Sequence, residues 1–423
     1  MPTPGRTQRI LAAVDAAFDR QLDFTAELIR HPSVRGGEES VQDLMYSALQ
    51  SRRLEMDRWK LDVDELAQHP GYGPMTVDAD QASTVVGTHT PRTTGGRSLI
   101  LNGHVDVVPT GPEATWARSP WDPAVIDGWM HGRGAGDMKA GVAANLFAYD
   151  AVRAAGLEPT APIIFQSVVE EESTGNGALA ALLRGYRADA VLIPEPEENM
   201  LVRANVGVIW FTLRVEGKPT HPREMANGFN AIDAAYTAIR ELRQLEDSWN
   251  SGQGSHPHFE DLDHPINFNI GRIRGGDWPS SVPAWCEIDV RASFYPGTTA
   301  QEAWSEIQGC LASMADKLEG ITPTAERTGF FAEGYVQPAG TDAEQVLAAA
   351  HQGAFGTPLE SFTTPGYLDA RVFTQYADIP TFVYGPRSEA IHGFDERVHL
   401  DSVRRITGAI ALFIADWCGV EGD

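Results

Sequence analysis

The chain has 423 residues, long enough for two domains of ordinary size. Its 42% hydrophobic and 22% charged residues are ordinary for a soluble globular enzyme. Lys and Arg number 33 against 58 Asp and Glu, a net charge of −25, which argues against nucleic acid and anionic membrane as partners. No apolar run approaches the ~18 residues of a transmembrane helix, and Met1 to Arg20 lacks a signal-peptide core. The three cysteines (Cys286, Cys310 and Cys418) are scattered and odd in number, so free thiols in a cytoplasmic, reducing compartment are expected.

Arg9 to Ile29 and Val41 to Leu49 have apolar residues at helical spacing and predict packing helices. Glu55 to Leu61 and Ser83 to Gly87 predict strands. Leu99 to Leu101 is a short apolar run that suits a strand covered on both faces. His104 and Asp106 follow directly at its carboxyl end, where ligands sit in open α/β sheets. An imidazole with a carboxylate two residues on suits a metal ligand and its orienting partner. Met138 to Ala155 predicts a helix, which places Asp137 at a helix N-terminus, where negative charge is favoured.

Ile163 to Val169 predicts a second buried strand, ending in Glu170-Glu171-Glu172. Such a run repels itself at a hydrophobic strand end unless cations neutralise it. Ala190 to Ile193 predicts a third, with Glu195 just past its end in Pro194-Glu195-Pro196. Three strand ends in sequence thus each deliver a metal-competent side chain.

From Val208 the pattern changes to a period of two, as in a half-exposed antiparallel strand. A helix over Ala231–Leu245, strands over Phe268–Ile273 and Val282–Ser293, a helix over Ala300–Leu318 and a strand near Pro323–Thr328 follow. This β-α-β-β-α-β order reads as a ferredoxin-like insert. The first pattern then resumes with a helix over Ala343–Phe355, a strand over Pro380–Tyr384, a loop with His392 and a helix over Ser402–Trp417. The expected fold is α/β, a mixed sheet flanked by helices, interrupted by an α+β domain: residues 1–206 and 329–423 catalytic, 207–328 inserted.

The motifs Gly103-His104-Val105-Asp106, Gly136-Asp137-Met138-Lys139, Glu171-Glu172, Pro194-Glu195-Pro196 and His392-Gly393-Phe394-Asp395-Glu396 together resemble the M20 family of dinuclear-metal amidohydrolases. The resemblance covers nearly the whole chain. It implies two divalent metal ions, with His104 and Glu195 on one, Glu172 and His392 on the other, and Asp137 bridging. It makes Glu171 the general base and Asp106 the residue that orients His104. It also implies a cis peptide between Asp137 and Met138. Most relatives have Asp-Glu-Glu with a glycine five residues after the last Glu, and Gly177 lies five after Glu172. A register one earlier would make the pair Glu170 and Glu171.

Two dications of this kind acidify a shared water and polarise a substrate carbonyl, while the base moves the proton. The donor set favours Zn, Mn or Co over Ca without choosing among them. Gly217-Lys218-Pro219-Thr220-His221 resembles the family's dimerisation-domain motif, which implies a homodimer and gives His221 an oxyanion role at an active site. Pro222 and Arg223 depart from the usual small residues there. His221 as a plain surface-loop histidine is the alternative. Arg291 matches an arginine that binds a substrate carboxylate; an ion pair with Asp289 is its alternative. The expected activity is hydrolysis of a non-peptide C–N bond in a small carboxylate-bearing molecule, an N-acyl amino acid first. An aminohydrolase releasing ammonia from an aromatic amino acid uses the same metals and base. An inactive binding protein on the same fold is the alternative of another class.

Overall fold

A computed structural model describes residues 4–314, 317–318 and 323–422. Six strands form the central sheet in the order Glu55–Lys60, Ser83–His89, Ile163–Val168, Leu99–His104, Ala190–Ile193, Thr381–Val383. The last four run parallel, and the first two pair antiparallel, so the sheet is mixed. Leu99–His104, Ile163–Val168 and Ala190–Ile193 are buried at every position, as covered parallel strands must be. Helices Pro4–Arg30, Ala140–Ala154 and Leu400–Trp417 pack on one another beside the sheet, and Asn176–Leu183 packs against Ala370–Ala377. Among the described residues no helix is long and apolar enough to cross a membrane.

The insert is a four-stranded antiparallel sheet in the order Phe268–Gly275, Trp285–Phe294, Gly207–Glu216, Thr324–Ala332. Helices Ala231–Asn250 and Ala300–Ser313 cover one face with their own hydrophobic cluster, which includes Phe211, Leu242, Ile288 and Trp304. Asn230 caps the first helix through the N–H groups of Ile232 and Asp233, and Thr299 and Glu302 form a capping box on the second.

Differences from the sequence expectations lie at element ends. The helix expected from Met138 begins at Ala140, because Asp137 and Met138 have non-helical φ and ψ, and the Asp137–Met138 peptide is cis. The helix expected to Leu318 is described to Ser313, and the part at 315–316 lies outside the described residues. The strand expected near Thr328 runs to Ala332, where it still pairs with Val208. A hairpin of Ala124–Ile126 and Trp129–His131 joins Arg397–His399 beside the His392 loop; its strands are too short for a periodic signal.

Candidate active site

The parallel strands end together, and their loops supply the site. His104 closes its strand with the ring 1% exposed. Its Nδ1 meets the backbone carbonyl of Asp106 at 2.9 Å, which leaves Nε2 facing the cluster. The Asp106 carboxylate stands 3.6 Å from that same Nδ1 with one oxygen and accepts the Glu172 N–H at 3.1 Å with the other. Asp106 therefore ties the first strand end to the second, and its backbone does most of the orienting of His104.

Asp137 sits between the two histidines, 3.1 Å from His104 Nε2 and 3.3 Å from His392 Nε2 through different carboxylate oxygens. Glu172 lies 3.1 Å from His392 Nε2, Glu195 3.6 Å and Glu171 3.8 Å from His104 Nε2. The ligand atoms of His104, Asp137 and Glu172 fall within 4.8 Å of one another. Glu396, four residues after His392, holds the backbone that carries Asp137. It accepts the N–H groups of Gly134, Gly136 and Asp137 and an Arg133 guanidinium N–H at 2.6 Å. Gly141 lets the following helix approach the Pro194 carbonyl, where a Cβ would stand only 2.0 Å away.

The run of three glutamates divides by direction. Arg35 grips Glu170 with two guanidinium nitrogens, one at 2.6 Å, and holds it away from the histidines. Glu171 and Glu172 face the cluster. Arg35 is far away in sequence and no local pattern marks it.

The electrostatics reflect crowded acids. Burial raises the Glu171 carboxyl well above its ordinary value, with Glu195 and Asp369 adding to it against His104. Burial, then Asp137, raises Glu172, and burial pushes Glu195 up to about 7. Burial opposes charge on His104 and His392, yet the carboxylates win. Glu195 and Glu171 hold His104 well above the imidazole range, and Glu172 and Asp137 take His392 to about 11. Asp137 is lowered despite burial, because both histidines bond to it. Glu195 Oε1 is buried without a hydrogen-bond partner. A set of two imidazoles and four carboxylates with such an orphaned oxygen fits divalent cations.

Two sequence candidates lie apart from the cluster. His221 is exposed on the insert, where its Nδ1 accepts the Arg223 N–H at 3.2 Å and caps the turn Pro222–Asn227. Arg291 is half-buried on the insert strand Trp285–Phe294, paired across the sheet with Trp210, and donates to the Pro365 carbonyl at 3.2 Å. Its expected alternative partner, Asp289, bonds instead to Thr212 and Arg272. Burial pulls the Arg291 guanidinium down to about 10, still charged at neutral pH.

Histidines and carboxylates gathered at the carboxyl ends of parallel strands, with one more glutamate poised beside them, define a metal-dependent amidohydrolase. The chain belongs to peptidase family M20/M25/M40, whose model matches residues 100–416. It is 26% identical over 433 residues to the N-formyl-4-amino-5-aminomethyl-2-methylpyrimidine deformylase of Halalkalibacterium halodurans, covering 97% of each chain. It is 29% identical over 401 residues to the succinyl-diaminopimelate desuccinylase of Stenotrophomonas maltophilia, covering 92% of this chain and 96% of that one. Its fold is also that of the di-peptidase Dug1p from Saccharomyces cerevisiae, with a TM-score of 0.79 at 13% identity over 98% of this chain and 99% of that one.

Proposed function

We propose that the protein deacylates a small N-acyl amino acid with two divalent metal ions. His104 and Glu195 hold one ion, Glu172 and His392 the other, and Asp137 both. The observation that carries this reading is Asp137 set between two histidines, 3.1 and 3.3 Å away, with Glu171 beside them and outside the ligand set. The bound ions supply acidification of a water and polarisation of the acyl carbonyl. Zn, Mn and Co suit these donors. Glu171 accepts the proton of the attacking water as its oxygen bonds to the acyl carbon, then returns it to the nitrogen as the C–N bond breaks. The names of the two relatives, a deformylase and a desuccinylase, both describe removal of an acyl group from nitrogen.

Arg291, with no acid beside it among the described residues, anchors the substrate carboxylate. Among the described residues no hydrogen bond or ion pair joins His221 to its own cluster, so we assign it to the active site of a second copy. Residues 207–328 then both pair two chains and recognise substrate, while 1–206 and 329–423 carry the chemistry. Exposed Ile273, Trp278 and Tyr236 on the insert support a homodimer. Free Cys286, Cys310 and Cys418 support a cytoplasmic setting.

The test is a panel of N-formyl, N-acetyl and N-succinyl amino acids given to metal-loaded protein, scored for free amine, beside aminobenzoates scored for ammonia. Turnover of the acylated amino acids that vanishes on chelation is expected. Ammonia release from aminobenzoates alone would move the assignment to an aromatic aminohydrolase.

A further inference from the structure

Nothing holds the Glu171 side chain directly. Among the described residues no hydrogen bond reaches its carboxylate, and the ion pair that does is His104 Nε2 at 3.8 Å. A general base must stay within hydrogen-bond reach of the proton it takes. The aim of Glu171 therefore has to come from the turn that carries it.

That turn starts at Glu170, which stands in the left-handed region at φ +66°. A residue other than glycine adopts this conformation only where its surroundings impose it. Two sets of bonds impose it here. The Glu170 carbonyl accepts the N–H groups of Thr174 at 3.0 Å and Gly175 at 2.8 Å, which closes the turn. The Glu170 carboxylate, 1% exposed, takes Nε and Nη2 of Arg35 and the Thr174 hydroxyl, the last at 3.0 Å. A bidentate guanidinium fixes direction as well as charge.

Arg35 is itself fastened to the neighbouring strand end. Val34 bridges Val107, and the Val107 N–H donates to the Ser33 carbonyl at 3.0 Å. Arg35 Nη1 also donates to the Thr76 hydroxyl at 2.8 Å. Val107 directly follows Asp106, so Arg35 ties the turn of Glu171 to the backbone that carries His104. Asp106 in turn accepts the Glu172 N–H at 3.1 Å. Glu171 is thus held through both of its chain neighbours, Glu170 by Arg35 and Glu172 by Asp106.

We propose that Arg35 and Glu170 are positioning residues for the reaction. The pair fixes the turn and so aims Glu171 at the attacking water. The role of Glu171 rests on the deacylase reading above; its fixed direction does not.

The test uses the metal-loaded full chain and the N-acyl amino acid it turns over fastest. Arg35→Met combined with Glu170→Gln removes both charges and strands neither. This double variant keeps its metal and lowers kcat roughly 10- to 100-fold, the cost of a misplaced catalytic group, with KM within about 2-fold. Methylguanidine added to Arg35→Ala restores part of the lost rate, which a role in folding alone would not allow. Crystals of the metal-loaded double variant show the Glu171 carboxylate displaced from its place in the natural protein. A natural kcat in the double variant overturns the proposal and leaves the deacylase reading standing. Loss of metal together with kcat overturns it too, since the pair then serves the ligands. If no N-acyl amino acid is hydrolysed, the deacylase reading falls and the crystals decide the pair alone. Glu171 displaced then upholds the pair, and Glu171 unmoved overturns it.

Discussion

Leu99–His104 in the central sheet is buried at all six positions, whereas Gly207–Glu216 in the insert alternates buried Phe211, Leu213 and Val215 with more open Thr212, Arg214 and Glu216. A strand covered on both faces has no face to offer a ligand and delivers side chains only where it ends. The central sheet therefore concentrates its chemistry at one rim, where His104, Glu171, Glu172 and Glu195 meet. A half-covered sheet offers a whole face, and the insert lays Arg214, Arg272, Arg274, Glu287 and Asp289 across it. Ion pairs show the same division. Arg133 and Glu396 are each 1% exposed under the catalytic loop, while Arg272 is 77% and Asp289 24% exposed on the insert. The first region is organised to hold charge out of water in one geometry; the second keeps its charged pairs in water.

Breaking the chemistry at the rim gives the largest expected effect. Glu171→Gln lowers turnover by ~10²–10⁴-fold, the usual worth of a general base, and keeps its metal, read by steady-state kinetics and metal analysis on one preparation. Metal lost with Glu171→Gln would shift the ligand to Glu171 and the base to Glu170, against the grip of Arg35. In the insert, Arg291→Ala should act on KM for carboxylated substrates and leave kcat nearly as it was.

Stability sharpens the comparison next. Arg133→Met strands Glu396 in a dry cradle and costs roughly 3–5 kcal/mol. Arg272→Ala on the insert face costs under ~1 kcal/mol, as exposed pairs do. Urea unfolding of the two variants measures both, and similar losses would erase the distinction between the regions.

Acid gives a smaller effect confined to the catalytic unit. His351 is 3% exposed, bonded to the Tyr384 hydroxyl at 2.7 Å and stacked on Phe355. Burial lowers its imidazole from 6.5 to about 4. Between those values the unfolded chain takes a proton that the folded chain refuses. The contribution is therefore fully present above pH 6.5 and is lost as pH falls toward 4, by at most ~3 kcal/mol. His351→Gln should flatten the unfolding free energy over that window relative to the natural chain.

Much of the site could be read along the chain because the covered strands announce themselves. Leu99–Leu101 and Ala190–Ile193 are continuous apolar runs, Ile163–Val168 is one broken only by Gln166 and Ser167, and His104, Glu171, Glu172 and Glu195 follow within four residues of their ends. Other features carry no such signal. Arg35 is one charged residue in a polar turn, and only its approach to Glu170 explains how three adjacent glutamates take different directions. Nothing in the local pattern marks Lys139 as buried, yet it is 0% exposed and donates to the Leu28 and His31 carbonyls at 2.9 Å.

The amino-acid sequence by itself determined the two periodicities, continuous and alternating, and with them a mixed sheet interrupted by an antiparallel insert. It also placed His104, Glu171, Glu172 and Glu195 just past buried strands, while Asp137 and His392 were singled out by the family resemblance alone. The tertiary structure alone decided which charges are compensated. Coulomb energy depends on distance through the folded interior, and Arg35 with Glu170 or Arg133 with Glu396 are separations of space that no spacing along the chain encodes.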